Sequence, residues 1–171
     1  MHKLFLVALI SLVVFSSCAE QPEKKEEEVS TYYLIRHAEK ERTDKSNRNP
    51  NLNDIGLERA QNWRVHFNTI KFDAIYSTEY NRTKQTALPT AEAKNLDIQF
   101  YDPSDMNIEA FIETTKGQTV LVVGHSNTTP KFVNSLLGNK KYEDIADNNN
   151  ANLYIVTLSK SGKTSELSVV N

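Results

Sequence analysis

Short apolar and β-branched runs alternate along the chain with longer stretches of helical period. Tyr32–Ile35, Asp73–Ser77, Ile98–Tyr101 and Val120–Val123 have the length and composition of strands. Behind the capping candidates Asn53 and Asp54, the residues Leu57, Ala60, Trp63 or Arg64 and Phe67 recur at helical spacing, and Arg82–Asn95 and Ile108–Lys116 read the same way. Pro89 should kink or locally interrupt the second of these helices, because its ring removes one backbone donor and crowds the preceding turn. A fourth helix runs from Thr129 or Pro130 to Leu137 and stops at Gly138. Leu153–Leu158, a Ser161-Gly162 turn and Leu167–Val170 predict a hairpin at a sheet edge. Strands alternating with helices predict an α/β fold, a three-layer αβα domain with a mostly parallel sheet.

The N-terminus breaks this rhythm. A basic start, Met1 to Lys3, leads into the apolar run Leu4–Phe15, too short for a bilayer-spanning helix and of signal-peptide length. Phe15-Ser16-Ser17-Cys18 resembles a lipobox, which makes residues 1–17 a lipoprotein signal peptide and Cys18 the lipidated residue. Cys18 is the single cysteine, and acylation accounts for a thiol that would otherwise stand unpaired in an exported protein. Ala19–Val29 carries five Glu and two Lys with no apolar period, so residues 18–29 read as a charged tether and 30–171 as the domain. The expected location is the bacterial cell envelope, on a membrane through the lipid.

Charge narrows the partners. Residues 30–171 hold 17 basic and 17 acidic side chains, a balance that gives no support to nucleic-acid binding. One polar run, Asp147–Asn150, stands out near the end of the domain. No metal or other cofactor is called for: beside Cys18 there are two well-placed histidines, so a zinc site would need mostly carboxylates, and the five glycines are too scattered for a phosphate-cradling loop.

Of four histidines, His2 falls in the leader, His66 lies within a helix, and His37 and His125 each directly follow a strand. Ligands of open parallel sheets gather at the carboxyl ends of strands, so these two can converge despite their distance in sequence.

Three blocks surround them: Arg36-His37-Ala38-Glu39-Lys40, then Ser77 to Thr86 with Arg82 inside it, then Val123-Gly124-His125-Ser126-Asn127. In this order they resemble the histidine phosphatase superfamily, which includes cofactor-dependent phosphoglycerate mutases, and Leu52–Ala60 resembles that family's first-helix segment. The similarity runs from Thr31 to the C-terminus. It implies a phosphoglycerate mutase-like fold and hydrolysis of a phosphomonoester through a phosphohistidine, with His37 as nucleophile. Arg36 and Arg82 can supply fixed cationic donors to the phosphoryl oxygens, since guanidinium forks match phosphate and stay charged. His125, protonated against the phosphate, would complete the pocket.

Departures from the family pattern bear on the substrate. Ala38 replaces a usual glycine, and Thr43 stands where mutase-like members carry an asparagine. Where family members often place a glutamate as proton donor, Phe100–Met106 offers Asp102 and Asp105; Asp102 directly follows the predicted third strand, and either one could also be a turn residue beside Pro103. The long insertions of mutases are absent. The chain resembles the small phosphatases, and its expected partner is a small phosphorylated substrate or a phosphohistidine protein. The alternatives are a non-catalytic phosphate-binding lipoprotein and, ranked lower, a phosphoglycerate mutase.

Overall fold

The structure is a computed structural model and describes residues 28–170. The leader, Cys18 and most of the charged tether lie outside the described residues. Six strands and four helices follow in the order β1 (Ser30–Arg36), α1 (Asp54–His66), β2 (Ala74–Ser77), α2 (Asn81–Lys94), β3 (Ile98–Phe100), α3 (Ile108–Thr114), β4 (Thr119–Gly124), α4 (Thr128–Leu137), β5 (Asn152–Ser159) and β6 (Gly162–Val169).

They form one sheet of order β3-β2-β4-β1-β5-β6. β3, β2, β4 and β1 are parallel neighbours, and β5 and β6 add an antiparallel hairpin at the β1 side. The alternation of side chains along each strand builds two cores. Tyr32, Leu34, Val120 and Val122 face Phe111 of α3 and Phe132, Val133 and Leu136 of α4. Ile35, Ile75, Leu121 and Val123 face Trp63 of α1 and Ala87 and Ala91 of α2. Helices thus cover both faces, the three-layer arrangement in which central strands are apolar on both sides.

Local chemistry explains the helix ends. Asn53 accepts a hydrogen bond from Gly56 N (2.9 Å) and starts α1, and Gly138 ends α4 in the left-handed region at φ 78°. Gly56 is required for packing rather than for φ: a Cβ there would lie 2.0 Å from the Glu39 carbonyl oxygen.

Three expectations change. Of the kink or local interruption expected at Pro89, the interruption does not occur: α2 runs through Pro89 as one element. The buried face of α1 is Gly56, Ala60, Trp63 and Phe67, while Leu57 and Arg64 are exposed; the glycine is what lets the helix lie close to the Glu39 backbone, so it, not Leu57, begins the buried stripe. β6 is twice as long as the run Leu167–Val170 suggested, because its polar first half pairs with β5 while facing solvent and leaves no hydrophobic pattern to read.

Candidate active site

β1 and β4 lie side by side in the middle of the sheet, with Arg36 in register with Gly124. The chain leaves β1 towards α1 on one face and leaves β4 towards α4 on the other. Such divergence opens a crevice at the carboxyl ends of the two strands. His37 and His125 are the first residues past those ends, and their rings meet edge to face with centroids 5.4 Å apart. Arg82, in the first turn of α2, reaches the same place: its Nη2 donates to His125 Nδ1 at 3.4 Å. α2 and α4 both begin here, so the positive ends of two helices face the site.

His37 is held on both sides of its peptide. Its N–H donates to the Gly124 carbonyl (2.9 Å), and its own carbonyl accepts from Asn150 Nδ2 (2.7 Å). The imidazole Nδ1 donates to the Ala38 carbonyl at 2.7 Å, and the Ala38 N–H is itself tied to Thr86 Oγ1 at 2.9 Å. Nδ1 therefore carries the proton and Nε2 keeps its lone pair. Burial lowers the His37 pKa to about 3, against the hydrogen bond to Ala38 and with the help of nearby His125, Arg36 and Arg82. The ring is a neutral imidazole over the whole physiological range.

His125 is neutral too. Burial, followed by the charges of Arg82, Arg36 and Lys40, lowers its pKa to about 4. Because Nδ1 accepts from Arg82, the ring proton sits on Nε2 and donates to Thr78 Oγ1 (3.0 Å); that hydroxyl passes on to Thr83 Oγ1 (3.0 Å), which ends on the Thr78 and Tyr80 carbonyls. The donor role expected of His125 therefore depends on a phosphate beside it. The three cations that face it exclude a fourth charge until an anion arrives to offset them.

Arg36 is 2 % exposed. Its Nη1 donates to the carbonyls of Ala146 (2.9 Å), Asp147 (3.0 Å) and Asn149 (2.9 Å), and its Nη2 to Asp147 Oδ1 (3.0 Å). These contacts use both Nη1 hydrogens and one on Nη2, leaving the second Nη2 hydrogen and Nε–H. Nε is buried and has no partner, and the same is true of Arg82 Nε. Buried guanidinium N–H groups without a protein partner are uncommon, and both of these belong to arginines beside the two histidines, where they are donors open to an acceptor. A tetrahedral oxyanion matches that need.

Asp102 and Asp105 do not join this group. Asp102 is exposed and caps a turn, its Oδ1 accepting from Ser104 Oγ (2.6 Å) and Ser104 N (2.8 Å), and these bonds hold its carboxyl below the usual range. Asp105 is exposed, one turn further on. Neither is among the charges acting on His37 or His125. The turn reading weighed for both is therefore the geometry observed, favoured by Pro103 and Ser104 directly after Asp102. His66 lies at the far end of α1, exposed and packed edge-on against Trp63 and Phe67.

Several side chains that contact this cluster escaped the sequence reading. Thr78, Thr83 and Thr86 fall inside the block around Arg82 but carried no assigned role, and Asp147 and Asn150 belong to the polar run whose only signal was its composition. Among the described residues no group of His, Cys, Asp and Glu is placed to hold a metal ion.

A family model described as histidine phosphatase superfamily (branch 1) matches residues 32–103, from β1 to the turn after β3, and includes Arg36, His37 and Arg82. Over those residues the chain matches the histidine phosphatase superfamily. None of the curated proteins matches it in sequence. Solved structures extend the likeness across the domain. The α-ribazole phosphatase from Shigella flexneri shares 16% identity over 82% of this chain and 96% of that one, at a TM-score of 0.60. The protein histidine phosphatase SixA, solved with tungstate, shares 16% over 81% and 96% (TM-score 0.61). The phosphoglycerate mutase from Bacillus anthracis shares 16% over 83% and 93% (TM-score 0.61). At such identities the likeness is one of fold, and the architecture is phosphoglycerate mutase-like. Phosphatases and a mutase both occur among these relatives, so the reaction has to be argued from the residues above.

Proposed function

We propose that this protein is a histidine phosphatase, a metal-independent phosphomonoester hydrolase in which His37 Nε2 takes the phosphoryl group. The observation that carries the reading is the bond from His37 Nδ1 to the Ala38 carbonyl, which leaves Nε2 as a fixed, unprotonated nucleophile beside two arginines. Nε2 attacks phosphorus as the P–O bond to the leaving group breaks; the free Nε–H groups of Arg36 and Arg82 take the charge on the equatorial oxygens. Binding of the dianion offsets the local positive charge, so His125 takes up a proton on Nδ1 and becomes a donor to the phosphoryl group. Water then attacks the phosphohistidine, the P–N bond breaks, inorganic phosphate departs, and Nε2 recovers its lone pair.

With Asp102 and Asp105 outside the cluster, a leaving group that departs without a donated proton suits this site best. That favours aryl phosphates and phosphohistidine in proteins over sugar or glycerol phosphates. Hydrolysis of a nitrophenyl phosphate tests the reading: the wild type and His66→Ala should turn over alike, His37→Ala should not, and turnover should survive chelators. Binding of phosphate without turnover would leave the protein as a phosphate-binding module, and isomerisation of phosphoglycerate with added 2,3-bisphosphoglycerate would make it a mutase.

Export and anchoring through a lipid on Cys18 form part of the same proposal, supported by the apolar run and the Ser16-Ser17-Cys18 sequence. Expression with the native leader should give an acylated, detergent-extracted protein, and Cys18→Ala should release it or leave the leader uncut. A mature chain beginning after residue 18 and free of lipid would remove this part.

A further inference from the structure

We propose that the Ala146–Asn150 segment is a positioning frame for phosphoryl binding, with Asp147 orienting Arg36 and Asn150 orienting His37. More than a hundred residues separate this segment from β1 in sequence, yet its polar groups converge on the two residues at the end of that strand. Four of the hydrogen bonds that fix Arg36 come from Ala146, Asp147 and Asn149. The side chain of Asn150, 7 % exposed, spends a donor on the His37 carbonyl at 2.7 Å.

The segment is itself rigidly placed. Ile145 N donates to the Ser126 carbonyl (2.8 Å), beside His125, and Asn149 N closes a turn onto the Ala146 carbonyl (2.9 Å). The Asn149 amide then bonds forward to Ala151 N (3.0 Å) and Asn152 Oδ1 (2.9 Å), at the start of β5. Position errors of the loop are thus passed directly to both phosphoryl-facing groups.

The asymmetry of Asp147 argues for positioning rather than for a plain surface ion pair. Its side chain is 73 % exposed, while that of Arg36 is 3 % exposed. One carboxylate oxygen, Oδ1, serves both Arg36 Nη2 (3.0 Å) and Arg42 Nη2 (3.0 Å), and Oδ2 takes Arg42 Nη1 (2.9 Å). Arg42 therefore holds the carboxylate at the angle from which it grips Arg36. The grip occupies one edge of the Arg36 guanidinium and leaves Nε–H with one Nη2–H as a two-pronged fork. The carboxylate is also a negative charge near an anion site, so its service is geometric: a neutral oxygen in the same place should do as well or better.

The kinetic arm rests on the hydrolase reading; the binding arm does not. Four forms of the full chain are compared: wild type, Asp147→Ala, Asp147→Asn and Asn150→Ala. Inorganic phosphate affinity is read by calorimetry and nitrophenyl phosphate turnover by kcat and KM, with thermal melting to confirm folding. Asp147→Ala should weaken phosphate binding about tenfold, a modest share of what a misplaced oxyanion donor can cost. Asp147→Asn, which keeps the Oδ1 acceptor, should stay within about threefold of wild type or bind more tightly. Asn150→Ala should lower kcat by about 10 to 100-fold while phosphate affinity stays within about threefold. Equal phosphate affinity in wild type and Asp147→Ala, equal losses in Asp147→Ala and Asp147→Asn, or no phosphate binding by the wild type would each overturn the frame. Phosphate binding without turnover would remove the hydrolase and leave the frame to be judged on the Asp147 affinities alone.

Discussion

Lowering the pH from 7 to 5 should destabilise this domain by an amount that can be worked from two residues. His37 and His125 titrate at about 3 and about 4 in the folded protein, against 6.5 for a free imidazole, first because both are buried and then because cations face them. The unfolded chain therefore binds protons first as the pH falls, and stability rises with pH across this interval. The stability of the neutral pair is complete above pH 6.5 and is lost progressively as the pH falls towards 4 and 3. At pH 5 each unfolded imidazole is largely protonated and each folded one is not, which costs roughly 2 kcal/mol per residue, or about 4 kcal/mol for both. For a domain of this size that is a fall in Tm of about 10 °C. The carboxylates with lowered values, Asp44, Asp102 and Asp147, start from an ordinary value of 3.8 and change charge below this interval. The assay is thermal melting at pH 7 and pH 5 for the wild type and for a His37→Gln/His125→Asn double variant. The double variant should lose much less, and added phosphate should restore much of the wild-type loss by favouring the charged form of His125. A wild type whose pH response lies within about 2 °C of the double variant's would refute the claim that the fold holds both histidines neutral.

Phosphate binding near pH 6 should take up roughly one proton more in the wild type than in His125→Asn, read from the dependence of calorimetric enthalpy on buffer ionisation enthalpy, since any proton released by the phosphate itself is common to both; equal proton uptake in the two would contradict the proposed donor role. Thr78→Val removes the acceptor of His125 Nε2–H and should reduce nitrophenyl phosphate turnover about tenfold with little change in melting, since the hydroxyl serves ring orientation; unchanged turnover would detach Thr78 from the site. Asp102→Asn and Asp105→Asn should each change turnover less than threefold on a nitrophenyl phosphate and on glycerol phosphate alike, whereas a true donor would show a loss of about 10² or more confined to the alkyl ester. Gly124→Ala would place a Cβ 2.8 Å from Thr129 Oγ1 and 2.9 Å from Tyr101 Oη; denaturant unfolding should show a loss of about 1 to 3 kcal/mol from this overpacking, and a neutral effect would mean that the β4 end yields easily.

What could be read from the sequence follows a physical division. β1, β2 and β4 are buried on both faces, so Tyr32–Ile35 and Val120–Val123 show as unbroken apolar runs, and the histidines just beyond two of them could be placed at the sheet end without a structure. The edge hairpin was legible only where it touches the core. Leu153 and Val156 are buried and announced β5, whereas Lys163, Thr164 and Ser165 pair with β5 through backbone alone and gave no signal. The stripe of α1 was misread at one end because Leu57 is apolar yet exposed, and the close contact is made by Gly56, whose contribution is the absence of a side chain. The clustered residues Arg36, His37, Arg82 and His125 were legible as types in a familiar order. Their supports were not: Thr78 under His125, Thr86 under Ala38 and Asn150 under His37 are hydrogen-bonding residues common in any turn, and only the fold brings Asn150 to within 2.7 Å of the His37 carbonyl. Asp102 had the opposite fate, since its position after a strand suggested chemistry and the Ser104 two residues on made it a turn cap.

The central claim is that His37 Nε2 carries the phosphoryl group, and rapid quenching of wild-type protein with excess nitrophenyl phosphate, followed by mass mapping under non-acidic conditions, tests it most directly. An acid-labile phosphoryl group on the peptide containing His37, formed within a turnover time and absent from His37→Ala, is the expected result. A phosphoryl group on His125 or on a hydroxyl, or steady turnover by His37→Ala, would contradict it.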